Sequence, residues 1–503
     1  MKFELEFDGH AFGFVARFAI LLGVIFFAGS FAGRQLSAYM FPLQNPDYQI
    51  LPRQEPSGPV FRELSDDAVI FSSGDAVLSR KDELLQAKRD FIFADLSAMT
   101  LAIYQDGEHI KTFEIRGKGK DGTFFETPNG SYKIRLKEKK HFSTIGKVWM
   151  PWSMLFFGNY FIHGIPYYPD GTYVSDAFSG GCIRLSVEDA KELFSLTKEG
   201  IVVLTYFADP EKDLAFAYYQ KIMRPPVTPP ALSAIAVIAA DFETGQILFE
   251  KDRSRQFPIA SVSKLMTGLV ALETINRFKI VPVTKHALTT EGDSAHLAEG
   301  DEYKAEELLY PLILSSSNDV ATLYQQQAWN FVDAMNQKAE AVGMTATHYT
   351  EASGLSAENV STPEDLFILL RYIYAHKKPL FVLSGLREYT LMTADKAKKI
   401  SLINVNWPRE DESFIGGKSG STPEARQAMA AVYKVQFAEY GERPVAIIVL
   451  GSYDRVSDIH RIQKYLEDNF VYGNVFARRG APGKIVEAGA SVYSAISTML
   501  DNK

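Results

Sequence analysis

One cysteine, Cys182, is present in 503 residues, so the chain cannot build an intramolecular disulfide framework and its compartment must be read from topology. Metal-ligand spacing is missing too. The nine histidines are scattered and no His/Cys/Asp set has ligand spacing, which predicts no metal and no cofactor. His348 and His460 read as ordinary polar positions. Long runs of one charge are absent: Lys plus Arg of 53 against Asp plus Glu of 61 gives a net charge of −8, which argues against nucleic acid as a partner. Arg116-Gly117-Lys118-Gly119-Lys120 lacks the strand-to-helix context of a phosphate loop and reads as a solvated hairpin end. What is present is apolar mass. Hydrophobic residues at 46% and aromatics at 13% suffice for substantial cores, and the length predicts about two to four domains.

Phe18 to Gly33 is apolar or small throughout, and Ala11 to Ala16 extends it with only Arg17 interrupting. Spanning a bilayer takes roughly 20 residues, so the stretch suffices if Arg17 snorkels to the surface. A cleaved signal is the rival, with small residues at Ser30 and Ala32; an uncleaved anchor is the favoured reading. From Arg34 to Arg89 the composition is mixed and punctuated by Pro42, Pro46, Pro52, Pro56 and Pro59, with a short helical pattern near Leu84-Leu85-Gln86-Ala87, which reads as a stalk or partly folded spacer.

Beyond it the signal is β. Leu101 to Tyr104 and Ile110 to Ile115 flank the hairpin turn Asp106-Gly107, and Asn129-Gly130 precedes the alternating Tyr132 and Ile134. Val187 to Leu196 predicts a short helix, and Ile201 to Tyr206 a closing strand. Between them lies Ser179-Gly180-Gly181-Cys182-Ile183-Arg184, with His163-Gly164 upstream. Two glycines permit a tight turn that leaves the amides of Gly181 and Cys182 free to face a ligand. His163 could hold the thiol as thiolate, and Arg184 could bind a carboxylate. This is a kit for acyl transfer through a thioester.

These residues resemble the catalytic motif of the L,D-transpeptidases, which carry a histidine followed by Ser-His-Gly-Cys-(Ile/Val)-Arg. The resemblance covers roughly Asp90 to Tyr206, including the turn Thr127-Pro128-Asn129-Gly130. It implies His163 as base, Cys182 as nucleophile, and Ser179, Gly181 and Arg184 as substrate-binding positions. Gly180 stands where that family usually has its second histidine, leaving acid/base chemistry to His163.

Asp209 to Met223 has helical character and runs into Arg224-Pro225-Pro226-Val227-Thr228-Pro229-Pro230, a semi-rigid connector and domain boundary. A new pattern follows: a strand at Ala234 to Ile238, a turn at Glu243-Thr244-Gly245, and a strand at Ile247 to Phe249. Then comes Ser261-Val262-Ser263-Lys264, with Leu265, Leu269 and Leu272 at helical spacing. Ser261 should open a helix with Lys264 one turn along, where a desolvated lysine can serve as base for the hydroxyl. Ser-x-x-Lys alone is a weak signal. Ser316-Ser317-Asn318 and Lys418-Ser419-Gly420, the latter before a strand pattern at Ala428 to Val432, arrive in the order used by penicillin-binding proteins and class A β-lactamases.

This half, from about Ser233 to Asn474, resembles the serine D,D-carboxypeptidases, the low-molecular-weight penicillin-binding proteins. Met266-Thr267, Asn318-Asp319 and Met335-Asn336-Gln337-Lys338-Ala339 with Gly343-Met344 share in it. The resemblance implies Ser261 as acylated nucleophile, Lys264 as base, Ser316 and Asn318 as the second motif, and Lys418, Ser419 and Gly420 as substrate-binding. Ser419 replaces the usual threonine. Ile485, Val492, Ile496 and Leu500 could line one face of a terminal helix packed on this domain.

The expected architecture is multidomain: residues 1–10 a cytoplasmic tail, 11–33 a transmembrane anchor or signal, 34–89 a stalk, 90–206 a mainly-β L,D-transpeptidase-like domain, 207–230 a Pro-rich linker, 231–474 an α/β domain of the penicillin-binding-protein/β-lactamase type with an antiparallel sheet flanked by helices plus a helical subdomain, and 475–503 a tail. The expected function is a single-pass membrane enzyme acting on peptidoglycan stem peptides outside the cytoplasmic membrane and inhibited by β-lactams. Its Ser261 site would trim pentapeptides to the tetrapeptide donors that its Cys182 site joins in 3-3 cross-links. A D,D-endopeptidase at the second site is the close alternative. An inert binding scaffold, or a β-lactamase or β-lactam sensor, are the rivals from other classes; residues 1–10 leave no room for a sensor's signalling module.

Overall fold

The computed structural model describes residues 72–175, 179–208, 218–221, 228–292, 295–408, 411–437 and 441–473. The expected anchor, most of the stalk and the terminal helical face lie outside the described residues. Among the described residues no helix is long and apolar enough to cross a membrane.

The C-terminal end of the expected stalk or spacer is folded, beyond the short helical pattern read near residues 84–87. Ser73–Gln86 is a helix, opened by a reciprocal capping box in which Ser72 and Asp75 satisfy each other's backbone. Its Val77 and Leu84 pack with Phe91, Phe93 and Leu204, so burial of one apolar stripe orders a segment whose prolines end before it.

In the first half, two sheets face one core. The five-stranded sheet runs Glu108–Glu114, Thr100–Gln105, Phe91–Asp95, Val202–Tyr206, Gly130–Lys133. Its first two strands meet at Asp106 and Gly107, both at positive φ (50° and 78°), as a two-residue turn requires. The four-stranded sheet runs Leu136–Ser143, Val148–Phe157, Tyr160–Gly164, Ile183–Leu185, its last pair parallel. Ile92, Leu101, Ile103, Met154, Phe156, Ile162, Ile183 and Val203 fill the space between. Arg116 to Lys120 is not a solvated hairpin end: Gly117 bridges Arg184 and Gly119 bridges Ser179, because this segment closes the edge beside Ile183–Leu185.

The described part of the expected 209–223 helix, Tyr218–Lys221, is instead a strand paired antiparallel with Phe470–Gly473. A long-range ladder outweighs local propensity there.

The second half is built on an antiparallel sheet in the order Ile247–Lys251, Ala236–Asp241, Gly441–Ser452, Arg426–Phe437, Phe414–Thr422. Both faces of Arg426–Phe437 are buried, which explains its unbroken apolar run: Ala428, Ala430 and Val432 join one core and Met429, Ala431, Tyr433 and Val435 the other. Helix Arg455–Asn469 covers the second face. Helices Lys264–Thr274, Asn318–Gln326, Phe331–Val342 and Pro363–His376 gather on the first.

Both halves belong to one compact unit and share buried contacts. Lys338 Nζ, fully buried, donates to Tyr132 Oη at 3.0 Å, Tyr372 Oη at 2.8 Å and Glu273 Oε1 at 3.0 Å. Unpaired, those charges could not be buried together.

Candidate active sites

Ala260–Ser263 forms a 3₁₀ turn, and the α-helix proper begins at Lys264, so Ser261 lies on the turn rather than opening the helix. Lys264 Nζ, fully buried, donates to Ser261 Oγ at 2.9 Å, Asn318 Oδ1 at 2.6 Å and the Ser353 carbonyl at 2.6 Å. Burial pulls its pKa down to about 7, with the Glu351 carboxylate opposing. Edge strand Phe414–Thr422 passes so near that a Cβ on Gly420 would stand 2.7 Å from the Ser261 nitrogen, which demands glycine.

Ser316 is placed differently from the serine-lysine pair. It occupies a left-handed turn, φ 57°, before Ser317, which caps helix Asn318–Gln326. Among the described residues no hydrogen bond joins Ser316 to Ser261 or Lys264; Asn318 makes that contact. Lys418 and Ser419 converge on Asn406: its Oδ1 accepts from Lys418 Nζ at 2.7 Å, the Ser419 amide at 3.0 Å and Ser419 Oγ at 2.8 Å. Burial drives the Lys418 pKa far down, and the charges of Lys264 and Arg455 add to this.

The cysteine site sits where strands Tyr160–Gly164 and Ile183–Leu185 run parallel. His163 pairs with Arg184, and Cys182 precedes the strand by one residue. Strand alternation puts His163, Arg184 and Cys182 on one face. His163 Nδ1 lies 2.6 Å from the Gly164 carbonyl, which can only accept, so Nδ1 carries the proton and Nε2 is left to take one. Burial lowers the His163 pKa to about 4 and raises that of the half-buried Cys182 to about 11, the Phe161 amide and Arg184 opposing the latter. The resting pair is thus neutral thiol and neutral imidazole, not the expected thiolate, because desolvation disfavours both charges.

The cysteine loop is self-structured. Ser179 Oγ donates to the Cys182 carbonyl at 2.6 Å and accepts from the Gly181 amide at 3.1 Å. The tight turn thus occupies the Gly181 amide, which the sequence left free to face a ligand, and engages the Ser179 hydroxyl in holding the loop. Arg184 is buried, with Nη1 on the Ser175 carbonyl at 3.1 Å. Gly181 has φ +110°, and a Cβ there would strike the Tyr160 ring at 2.2 Å, whereas Gly180 would meet nothing within 4 Å. Gly181→Ala should therefore abolish Cys182 reactivity, while Gly180→His, restoring the family pattern, should fold with wild-type stability; thermal unfolding and thiol titration distinguish them. A destabilised Gly180→His would refute the open space.

Residues 89–204 match the family described as the L,D-transpeptidase catalytic domain, and residues 223–453 match the D-alanyl-D-alanine carboxypeptidase family. The protein joins a domain of each family. Its carboxypeptidase domain is similar to a D-alanyl-D-alanine endopeptidase of Pseudomonas aeruginosa, 29% identical over 248 residues, 47% of this chain and 78% of that one. The D-alanyl-D-alanine carboxypeptidase DacF of Bacillus subtilis is 27% identical over 259 residues, 48% of this chain and 63% of that one. Among solved structures, the Streptomyces K15 DD-transpeptidase aligns at 25% identity and a TM-score of 0.43, over 48% of this chain and 98% of that one.

In the carboxypeptidase domain, sequence reasoning missed Asn406 and Glu351. Glu351 accepts from the Gly354 amide at 2.6 Å and Ser353 Oγ at 2.6 Å, shaping the loop that aims the Ser353 carbonyl at Lys264. In the L,D-transpeptidase domain it missed Asn159, Tyr160 and the role of Thr127, whose Oγ1 donates to the Gly181 carbonyl at 2.9 Å. Only Thr127 left a signal, as part of the turn Thr127-Pro128-Asn129-Gly130.

Proposed function

We propose that this protein remodels peptidoglycan stem peptides with two nucleophiles. Ser261 Oγ attacks the carbonyl between two D-alanines while neutral Lys264 takes its proton; the terminal D-alanine leaves, and water releases the acyl group as a tetrapeptide. Cys182 Sγ then attacks the carbonyl of the third stem residue, its proton passing to His163 Nε2. The fourth D-alanine leaves with a proton returned to its nitrogen, and an amine from a neighbouring stem resolves the thioester into a 3-3 cross-link. Because the thiol is neutral at rest, deprotonation coincides with attack, which protects the sulfur between turnovers.

The observation that carries this reading is the hydrogen-bonded trio Ser261, Lys264 and Asn318 in the same compact unit as a Cys182 site with a free imidazole acceptor. A membrane anchor at 11–33, an extracytoplasmic location and inhibition by β-lactams belong to the proposal. A D,D-endopeptidase at Ser261 is the second reading, favoured by the likeness to the Pseudomonas aeruginosa endopeptidase.

Disaccharide pentapeptide given to wild type, Cys182→Ala and Ser261→Ala, with products resolved by mass, tests it. Wild type should give tetrapeptide and then dimer, Cys182→Ala tetrapeptide alone, and Ser261→Ala dimer only when tetrapeptide is supplied. Absence of both products, with Ser261-dependent cutting of preformed dimers, would replace the relay with the endopeptidase.

A further inference from the structure

Two segments cradle the cysteine loop, and both are clamped by the carboxypeptidase domain. The first is Glu126-Thr127. While Thr127 holds the Gly181 carbonyl, the Glu126 carboxylate meets His376 Nδ1 at 2.7 Å and the Glu126 carbonyl accepts from Lys377 Nζ at 2.7 Å. The second is Gly158-Asn159-Tyr160. Tyr160 presses its ring on Gly181, and Cys182 Sγ donates to the Asn159 carbonyl at 3.7 Å. Asn159 Nδ2 in turn donates to the carbonyl of Thr274 at 2.7 Å. Thr274 ends the very helix that Lys264 begins. At Gly158, φ +49°, the two backbones nearly touch, since a Cβ would stand 2.7 Å from the Glu273 carbonyl oxygen.

We infer that the carboxypeptidase domain is the positioning frame of the cysteine site, with Asn159 as the positioning residue that ties the Cys182 sulfur to the C-terminal end of helix Lys264–Thr274. The second domain thus has a task separate from its own chemistry. Asn159 works through its two ends: its backbone carbonyl accepts from the thiol, and its side chain pins that carbonyl to the neighbouring domain. Asn159→Ala removes the tie and leaves the acceptor in the chain. A carbonyl released this way drifts from the sulfur, and a thiol without its acceptor ionises more readily. The other groups facing the thiol are the Phe161 amide, Arg184 and the Tyr160 hydroxyl, with His163 on the adjoining strand. None of them is altered by the substitution.

The inference rests on the reading of Cys182 as the reacting group, yet its test does not need turnover. Cys182 is the sole cysteine, so iodoacetamide reports on it alone in the full chain. Alkylation rates are measured across pH for wild type, Asn159→Ala and Glu126→Gln, with benzylpenicillin acylation of Ser261 followed in the same samples. Both variants should change the Cys182 rate by about 3-fold or more, the order expected for one lost hydrogen bond, and Asn159→Ala should move its profile to lower pH. Ser261 acylation should stay at the wild-type rate. Wild-type alkylation profiles in both variants would overturn the inference. So would an equal fall in Ser261 acylation, which would mean that the substitutions loosen the whole unit. A shifted profile in a protein that makes no cross-link from tetrapeptide would uphold the positioning and sink the transpeptidase reading.

Discussion

Lys264→Ala should slow acylation of Ser261 by about 10²–10⁴-fold, the range typical of a lost general base. The lysine is fully buried and donates to Ser261 Oγ at 2.9 Å, within reach of the proton it would take. Its pKa of about 7 sets the accompanying pH dependence. A base works in its neutral form, and a lysine is neutral above its pKa; acylation by wild type should therefore rise with pH through about 7 and level off above it. Stopped-flow acylation with a chromogenic β-lactam measures both. An acylation rate flat from pH 5 to 9 in wild type would show that Lys264 is not the base, whatever the loss in the variant.

Glu273→Ala should lower stability by about 3–5 kcal/mol, since it strands a buried charge rather than merely deleting a pair. Glu273 and Lys338 are both fully buried at 2.9 Å, with Lys377 at 3.9 Å. Burial pulls the Lys338 pKa to about 8 despite this partner, so losing the partner favours an uncharged lysine that still needs hydrogen bonds. The pairing crosses the boundary between the domains through Tyr132, and the damage should appear in urea unfolding as an early loss of the interface. The double variant Glu273→Leu with Lys338→Met should recover most of the stability, because an apolar pair removes both desolvation terms. A single variant within about 1 kcal/mol of wild type would mean that the network tolerates the unpaired lysine, and the interface argument would lose its energetic basis.

Much of the fold was legible because its signals are local. The Asp106-Gly107 hairpin, the helix Val187–Leu196 capped by Ser186, and the apolar run of Arg426–Phe437 each follow from turn chemistry or periodicity within a dozen residues. The capping box of Ser72 and Asp75 was equally local, and the prolines upstream hid it. Tyr218–Lys221 was illegible for the opposite reason: its partner strand lies at Phe470–Gly473.

The same division runs through the sites. Residue type and spacing alone determined which side chains could react, since Ser261 and Lys264 are one helical turn apart and Cys182 follows a glycine pair. The tertiary structure decided what surrounds them. Asn318 reaches Lys264 across 54 positions, Asn406 gathers Lys418 and Ser419, and Glu126 meets His376 across 250. Those partners set desolvation, and desolvation sets proton affinity, which is why the sequence pointed to a thiolate where burial leaves a thiol. The proline-rich connector likewise marked a domain boundary from local composition; that the halves share buried charges depends on residues far from it, because burial of a charge is a property of everything packed around it.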